Sequence, residues 1–313
     1  MSYAYIDPLR DYGFKLLFGQ KAVLIAMLNA LLPPEDRIAD LTYVNTEVVG
    51  PTPIARAIVY DLHCVTLDGR HIIVEVQQAS HAWFKDRCLH YVSRAFDGQV
   101  LRGSGSYELQ PVYLVAVMDF ALGLSGGDFL SVVELRDARG ALFTDKLRFY
   151  FLDLTKLDLM SQATDLPILE QWMRAVKTMG YATEVPSWVT DEDLRRAYAA
   201  AEVNNLSEAE RVAYERSLRD DLDRRGEMLA KWIEGKELGW EEGRVEGREE
   251  GREEGRAEGR EEGDERRLVL TIRQLTDKGL TPAAIAELLD LPRSKVETVV
   301  VAHRPDEPPT PRE

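Results

Sequence analysis

The chain has 313 residues, of which 45% are hydrophobic, and a formal net charge of −15 at pH 7. This length allows one large domain with extensions or two small domains, and the hydrophobic content is normal for a globular core. The negative charge argues against a protein that coats nucleic acid through bulk attraction. Residues 1–103 hold 10 Lys and Arg against 11 Asp and Glu, so most of the negative charge lies in the remaining 210 residues.

Several features of the sequence bear on its compartment. No apolar run approaches the roughly 20 residues that a membrane-spanning helix needs. The N-terminal segment carries acidic residues early and lacks the apolar core of a signal peptide. Only Cys64 and Cys88 occur, so there is no disulfide framework. We therefore expect a cytoplasmic protein without membrane association.

The first half of the chain alternates helical and strand patterns. This order predicts an α/β fold in which helices cover a central sheet. The predicted elements are a helical segment at 9–32 (one helix, or two with a break at Gly19), a hairpin of 57–66 and 71–77, a helix at 80–97, a strand at 111–120 and a second hairpin from about 129 to 153.

From about residue 165 onward the pattern is helical, and it ends in one long run at 207–266. Two capping boxes are predicted, Thr190 with Asp193 and Ser207 with Glu210.

Eight glycines in the long run, from Gly235 to Gly263, recur every four residues. Such a stripe lets another helix approach closely, although each glycine costs about 1 kcal/mol of helix stability relative to Ala. A charged tether is the alternative to a helix, and self-association and a spacer role both stay open.

The C-terminal segment contains two further helical stretches. Gly279 is a helix stop, Thr281 and Pro282 begin the next helix, and the last helix follows Pro292. The arrangement is similar to a short helix-turn-helix unit. A plain helical hairpin for dimerisation is an equal alternative, because few basic residues mark a recognition helix. Residues 304–313 are expected to be a disordered tail.

The first hairpin carries the most specific chemical signal. Glu75 and Gln77 lie on one face of its second strand, because side chains alternate with period two. A two-residue turn would send Asp61, on the first strand, to the opposite face. A three-residue loop at 67–69, with Gly69 in the left-handed conformation, would pair Asp61 directly with Glu75. We predict the three-residue loop.

Two carboxylates inside an apolar sheet repel each other and resist ionisation, so a cation is the natural compensation. Ligand sets made only of oxygen favour Mg²⁺ or Mn²⁺. In the alternative interpretation Asp61 lies at a strand edge, and Glu75 pairs with Lys85 or Arg87. The histidines and cysteines between residues 63 and 90 lack the spacing of a zinc site.

Three motifs, in order, resemble a known nuclease family. Residues 7–19 (DPLRDYGFKLLFG), 74–77 (VEVQ) and 84–96 (FKDRCLHYVSRAF) are similar to the Rpn family of recombination-promoting nucleases, which are PD-(D/E)xK nuclease family transposases. The resemblance covers roughly residues 5–155. It implies a restriction-endonuclease-like fold, with a central mixed β-sheet flanked by helices.

The resemblance also implies roles for the acids of the motifs. Asp61 and Glu75 correspond to the metal-binding acids, and Asp11 matches an additional acid that completes the catalytic site. Gln77 stands where most of the superfamily has lysine. A neutral amide can donate a hydrogen bond but brings no charge, so that catalysis depends more on the metal or on Lys15.

Basic and aromatic residues of the motifs are the candidates for nucleic-acid binding. Lys15 could face phosphate. Arg87, Tyr91 and Arg94 share a helix face that could contact the DNA backbone, and a partly exposed packing stripe is the alternative for that face.

These observations predict a metal-dependent DNA endonuclease that hydrolyses phosphodiester bonds with Mg²⁺ or Mn²⁺, and they imply a role in recombination or mobile-element biology. The alternative is a weak or inactive nuclease fold that serves as a DNA-binding or self-associating scaffold. The expected partners are DNA and further copies of the chain, which would associate through the helical repeat and the C-terminal segment. The expected domains are a nuclease-like domain at 1–160, a helical subdomain at 161–206, the long helix at 207–266 and a helical hairpin at 267–303.

Overall fold

The structure, a computed structural model, describes residues 4–48, 58–80, 82–100, 108–124, 126–161, 163 and 165–302. The predicted tail at 304–313 lies outside the described residues. The chain divides into two compact units, residues 1–221 and residues 222–313.

A six-stranded mixed sheet forms the centre of the first unit. The strands of the described chain are β1 (Leu41–Tyr43), β2 (Glu47–Val48), β3 (Ile58–Val59), β4 (Leu62–Thr66), β5 (His71–Gln77), β6 (Val112–Met118), β7 (Leu130–Glu134) and β8 (Leu147–Asp153). The sheet has the order β1-β4-β5-β6-β8-β7, while β2 and β3 form a separate two-stranded ribbon. β6 is parallel to both β5 and β8, and the other pairs are antiparallel.

Helices cover both faces of this sheet. The helices of the described chain are α1 (Asp11–Phe18), α2 (Lys21–Leu31), α3 (Phe84–Asp97), α4 (Ile168–Thr178), α5 (Glu192–Ala200), α6 (Glu208–Asp277), α7 (Pro282–Leu288) and α8 (Arg293–Val301). Side chains of α1, α2, α4 and α5 form one apolar cluster with one face of the sheet. Side chains of α3 form a second cluster with the opposite face. This is the predicted α/β architecture of the restriction-endonuclease-like type.

The central strands are apolar on both sides because both sides are covered. Every residue of β6 is buried, which is the pattern of an interior parallel strand. β7 is the edge strand beyond β8, and Val132 and Val133 in it are exposed.

Of the two interpretations of the first helical segment, the structure has the one with two helices and a break at Gly19. α1 ends at Phe18 and α2 begins at Lys21, with Gly19 as the C-cap of α1. A second glycine, Gly13, lies inside α1. Glycine is required at this position because the backbone carbonyl of Asp7 packs directly against its Cα atom. A Cβ atom at this position would clash with that carbonyl oxygen.

The first hairpin has the predicted three-residue loop. Leu62 pairs with Val74 and Val65 pairs with His71. The N–H of Thr66 donates to the carbonyl of Arg70 at 2.9 Å, which leaves residues 67–69 as the loop. Gly69 has φ of +87°, a left-handed conformation that costs other residues energy. The predicted register is therefore confirmed.

The two predicted capping boxes have different outcomes. Ser207 and Glu210 form one, because the Ser207 N–H donates to Glu210 Oε2 and the Glu210 N–H donates to Ser207 Oγ. The prediction at Thr190 is wrong by one residue. Asp191 caps α5 by accepting from the N–H of Leu194, and the Thr190 hydroxyl instead accepts a hydrogen bond from a buried amide of α4.

The long helix extends further than its polar repeat indicates. α6 runs to Asp277, eleven residues beyond the predicted end at 266. The extension is stabilised by an apolar cluster in which Ile272 of α6 packs with Ile285 of α7 and Val296 of α8. The predicted turn after it is confirmed, since Gly279 has φ of +90° and the Thr281 hydroxyl accepts from the N–H of Ala284.

Within the described residues, no single helix is long and apolar enough to cross a membrane. α1 and α2 are long and apolar enough only when taken together, and they are bent by 95° relative to each other.

We expect Gly13→Ala to lower the free energy of unfolding of the first unit by about 1–3 kcal/mol, because the added methyl group must displace a backbone carbonyl. Chemical denaturation followed by circular dichroism measures this change. The control is Gly98→Ala at the C-cap of α3, where φ is −64° and the nearest atom would lie 3.4 Å from the added methyl group. A Gly13→Ala protein as stable as the control would contradict the close packing of the Asp7 carbonyl against Gly13.

Candidate active site between the first hairpin and two helices

The hairpin register brings two acids together at one end of the sheet. Asp61 directly precedes β4 and lies opposite Glu75 when the pairing of β4 with β5 is continued by one residue. The backbone N–H of Asp61 donates to Glu75 Oε1 at 3.1 Å, and the N–H of Val76 donates to Asp61 Oδ2 at 2.8 Å. Each carboxylate is thus held by the backbone of the neighbouring strand. The structure places the two predicted metal ligands side by side.

Both acids are disfavoured in their charged form. Burial raises the pKa of Glu75, which is only 3% exposed, and the nearby charge of Asp61 raises it further. Burial also raises the pKa of Asp61, to about 6, against the opposing effect of its hydrogen bond from Val76. A cation placed between the two carboxylates would relieve both effects.

α1 contributes a third acid and a base to this cluster. The Asp11 side chain lies within hydrogen-bonding reach of Asp61 and raises the pKa of Asp61 through its charge. Lys15, one turn further along α1, pairs with Asp11 at 2.7 Å. The charge of Lys15 lowers the pKa of both Asp61 and Glu75. Both predicted residues of α1 therefore lie next to the acid pair.

α3 contributes a guanidinium group from the opposite helical layer. Arg87 Nη2 donates to Gln77 Oε1 at 2.6 Å and lies 3.9 Å from Glu75 Oε2. Phe84 and Tyr91 flank Arg87, with their ring centroids 5.3 and 5.7 Å from its guanidinium carbon. The Arg87 Nε atom is buried and has no hydrogen-bond partner among the described residues.

The three predicted DNA-contacting residues of α3 have different environments. Arg87 points at the acid pair. Tyr91 is 9% exposed, and its hydroxyl donates to the carbonyl of Val59 at 3.3 Å. Arg94 pairs with Asp97 at 2.9 Å. These contacts favour the packing alternative for Tyr91.

The contact between Arg87 and Gln77 was not foreseen from the sequence. Of the sequence alternatives for Glu75, the pairing with Arg87 is present at 3.9 Å, while a cation shared with Asp61 stays a prediction. The sequence feature that could have predicted this contact is the position of Gln77 at the end of β5, where a side chain of the following helix can reach the amide.

The donor set fits a small oxygen-preferring cation. Asp61 and Glu75 offer carboxylate oxygens at one point, with Asp11 adjacent. No group of three or more His, Cys, Asp or Glu in the described residues has the geometry of a metal site. Two of the histidines considered for zinc, His63 and His71, instead hydrogen-bond to each other at 3.1 Å.

The raised pKa of Asp61 predicts an unusual pH dependence of stability. Its folded pKa, about 6, lies above the ordinary 3.8, so the folded protein retains a proton that the unfolded chain releases. Stability contributed by this group therefore falls as pH rises from about 4 through 6. In the presence of a chelator, we expect Asp61→Asn to be more stable than wild type by on the order of 2 kcal/mol at pH 8 and about equal at pH 4.

Urea denaturation at both pH values measures this difference, and Asp145→Asn, which changes an exposed carboxylate, is the control. If Asp61→Asn raises the free energy of unfolding equally at pH 4 and pH 8, the raised pKa of Asp61 is not the cause.

Comparison with known families agrees with this geometry. A family model described as PD-(D/E)XK nuclease family transposase matches residues 8–230, well over half of the chain. The match includes every residue of the acid cluster and extends through α4 and α5 into α6. Comparison with curated proteins and with solved structures finds no match. The chain belongs to the PD-(D/E)XK nuclease family transposases.

Proposed function

We propose that this protein is a metal-dependent DNA endonuclease that hydrolyses phosphodiester bonds. The observation that carries the proposal is the pairing of Asp61 with Glu75 at the end of the hairpin. A positively charged side chain from each helical layer, Lys15 of α1 and Arg87 of α3, lies beside this pair. Family membership supports nuclease or transposase chemistry in general. We further propose residues 1–160 as the nuclease domain, with a role in recombination or mobile-element biology.

Asp61 and Glu75 are the residues that would hold Mg²⁺ or Mn²⁺. When bound, such an ion supplies an activated water and neutralises the charge that builds up on the phosphodiester. Asp11 lies next to Asp61 and completes the acidic side of the site.

Lys15 provides positive charge on the α1 side. Its side chain is 38% exposed, so when DNA is present its ammonium group can leave the ion pair with Asp11 and bind a phosphate oxygen.

Gln77 and Arg87 act as a unit on the α3 side. A guanidinium group has only donors, so the Gln77 oxygen faces Arg87 and the Gln77 amide NH₂ faces away from it. This orientation leaves the NH₂ group as a donor to a phosphate oxygen or to the attacking water. The positive charge of Arg87 polarises the amide and stabilises the ionised form of Glu75.

The second candidate function is a catalytically weak scaffold that binds DNA. The neutral Gln77 favours it, because the amide supplies less transition-state stabilisation than a charged group. Lys15 is also already paired with Asp11. This function predicts DNA binding that does not change with divalent metal or with Asp61→Ala.

The test of the nuclease activity is cleavage of supercoiled and linear DNA by the full chain with Mg²⁺ or Mn²⁺. We expect nicking or cutting by wild type and at least a 100-fold loss of rate in Asp61→Ala and in Glu75→Ala. The control Asp145→Ala changes an exposed acid and should cleave like wild type. Equal rates in all four proteins would exclude the proposed site, and metal-independent binding without cleavage would favour the scaffold.

The role of the Arg87–Gln77 unit is tested with Arg87→Ala under single-turnover conditions. A hydrogen bond to a charged group is worth about 1.5–3 kcal/mol, so we expect a rate lower by about 10- to 100-fold. Adding Gln77→Lys to this variant places a charged donor at the same point and should restore part of the rate. Lys85→Ala, an exposed base of the same helix, is the control. An unchanged rate in Arg87→Ala would show that the amide does not need this partner.

We propose DNA as the substrate and the reducing cytoplasm as the compartment. Cys64 and Cys88 are both free and buried, which is compatible with reducing conditions. We also propose that copies of the chain associate through the helical repeat and the C-terminal segment.

A further inference from the structure

The strand β7 lies at one edge of the six-stranded sheet, and its outer side has no partner strand among the described residues. The Asp153 N–H donates to the carbonyl of Phe129 at 2.7 Å, so every second residue from Phe129 onward turns its backbone N–H and C=O groups towards β8. The residues between them, Leu130, Val132 and Glu134, turn theirs outward. No described residue hydrogen-bonds to these six outward groups. The edge is therefore open to a further strand.

The sequence of β7 does not protect this edge. Edge strands commonly resist further pairing through a lysine, a proline or a bulge. β7 has the sequence LSVVE, and its pairing with β8 is regular over all five residues. Val132 and Val133 are exposed on opposite faces of the sheet. The one charged residue of the strand, Glu134, pairs within the chain with Arg136 at 2.6 Å and with Arg148 at 3.1 Å. Open backbone groups and apolar side chains together favour strand addition.

On the α3 side of the sheet, β7 borders an apolar groove of about 190 Å³. Val133 lines this groove together with Leu89 of α3, Leu124 and Phe149. A strand added at the edge would place its own side chains beside Ser131 and Val133 on this side. Strand addition would thus remove apolar surface from water as well as pair the outward backbone groups.

The symmetry of the ladder limits how two copies of this edge can meet. An antiparallel ladder has a two-fold axis perpendicular to its strands, and a parallel ladder has no such axis between identical residues. Two β7 edges can therefore close on each other only in the antiparallel direction. Their outward groups match when Ser131, Val132 or Val133 lies opposite its own copy. We refer to the residue that lies opposite its own copy as the axial residue.

Cross-strand side chains favour Val132 as the axial residue. The two Val132 side chains then meet each other, and each Ser131 lies opposite a Val133, so that a small side chain faces a larger one. The three outward residues of each copy form six hydrogen bonds across the axis, because each residue supplies one donor and one acceptor. No outward group of β7 is left without a partner.

Charges at the ends of the strand favour the same register. With Val132 as the axial residue, continuing the pairing by two residues brings Asp128 of one copy opposite Arg136 of the other. With Ser131 as the axial residue, Asp128 would lie opposite Glu134, a like charge. The third register would place Arg136 opposite an apolar residue. Only the first register pairs opposite charges.

We propose that β7 is an edge-to-edge pairing surface on which a second copy of the chain adds its own β7 in the antiparallel direction, with Val132 as the axial residue. The pairing joins two six-stranded sheets into one continuous sheet. β7 lies within residues 1–221, so this surface is separate from the association through α6. The proposal depends neither on that association nor on nuclease activity.

Sedimentation velocity of the full chain without DNA or metal tests the pairing. Val132→Pro removes an outward N–H that β8 does not use, so we expect the fold to persist. Both hydrogen bonds at the axis are lost, and we expect the dissociation constant to rise at least about 10-fold. Val132→Thr keeps the N–H and the branched side chain, so it is the matched control and should associate like wild type. Circular dichroism verifies that both variants keep their secondary structure.

Three sedimentation results would overturn the proposal. One is a wild-type monomer at about 100 μM, including one that changes mass only when DNA or another protein is added. The second is an association that Val132→Pro leaves unchanged, which is also the result expected if copies meet only through α6. The third is an association that Val132→Thr weakens as much as Val132→Pro. Loss of cleavage with intact association would instead concern the proposed nuclease function alone.

Cysteine crosslinking is a second measurement that leaves the β7 backbone unchanged. The native Cys64 and Cys88 are buried, so wild type should form no crosslink under mild oxidation. We expect Val132→Cys to form a disulfide with its own copy, because the two Cα atoms of such a pair lie about 5.5 Å apart. Val59→Cys is the control for random collision, since Val59 is 54% exposed and Val132 is 47% exposed. Equal crosslinking of the two variants would overturn the pairing.

A mixture of Ser131→Cys and Val133→Cys chains determines the register. These two positions lie opposite each other with Cα atoms about 4.5 Å apart, so the mixture should crosslink faster than either variant alone. A disulfide that forms as fast between two Ser131→Cys chains, or between two Val133→Cys chains, would overturn the proposed register.

Discussion

The pairing of Asp61 with Glu75 is the constraint on which the rest of the site depends. It exists because the hairpin loop has three residues and because Gly69 can adopt a left-handed conformation. A loop shorter by one residue would move one acid to the other face of the sheet. The chemistry of the site therefore begins with a turn that lies at the far end of both strands.

Two helical layers converge on this pair from opposite faces of the sheet. α1 belongs to the cluster on one face and supplies Asp11 and Lys15, while α3 belongs to the other face and supplies Arg87. Burial is the largest cause of the raised pKa of both acids, and the positive charge of Lys15 lowers the pKa of each against it. The site is thus assembled by the packing of the whole first unit.

The first motif combines structural and chemical roles. Asp7 accepts hydrogen bonds from the N–H of Leu9 and from Arg10 Nε, and Arg10 also pairs with Asp221 of α6. Gly13 lets the Asp7 backbone approach α1. These contacts fix the position of α1, so that Asp11 and Lys15 reach the hairpin. Most residues of this nuclease-like motif therefore have a structural role, which is to position the side chains of Asp11 and Lys15.

Local sequence patterns determined much of this protein, because turns, caps and alternating strands depend on neighbouring residues. They predicted the cap at Thr281 and offered a break at Gly19 as one of two interpretations. The hairpin pattern alone left a two-residue and a three-residue loop open, and the three-residue loop was predicted because it pairs the two acids. Only the tertiary structure decided the contact of Arg87 with Gln77, the burial of Tyr91 and the continuation of α6 to Asp277. These features depend on packing between separate elements, and a local pattern contains no information about which side chains another element brings near.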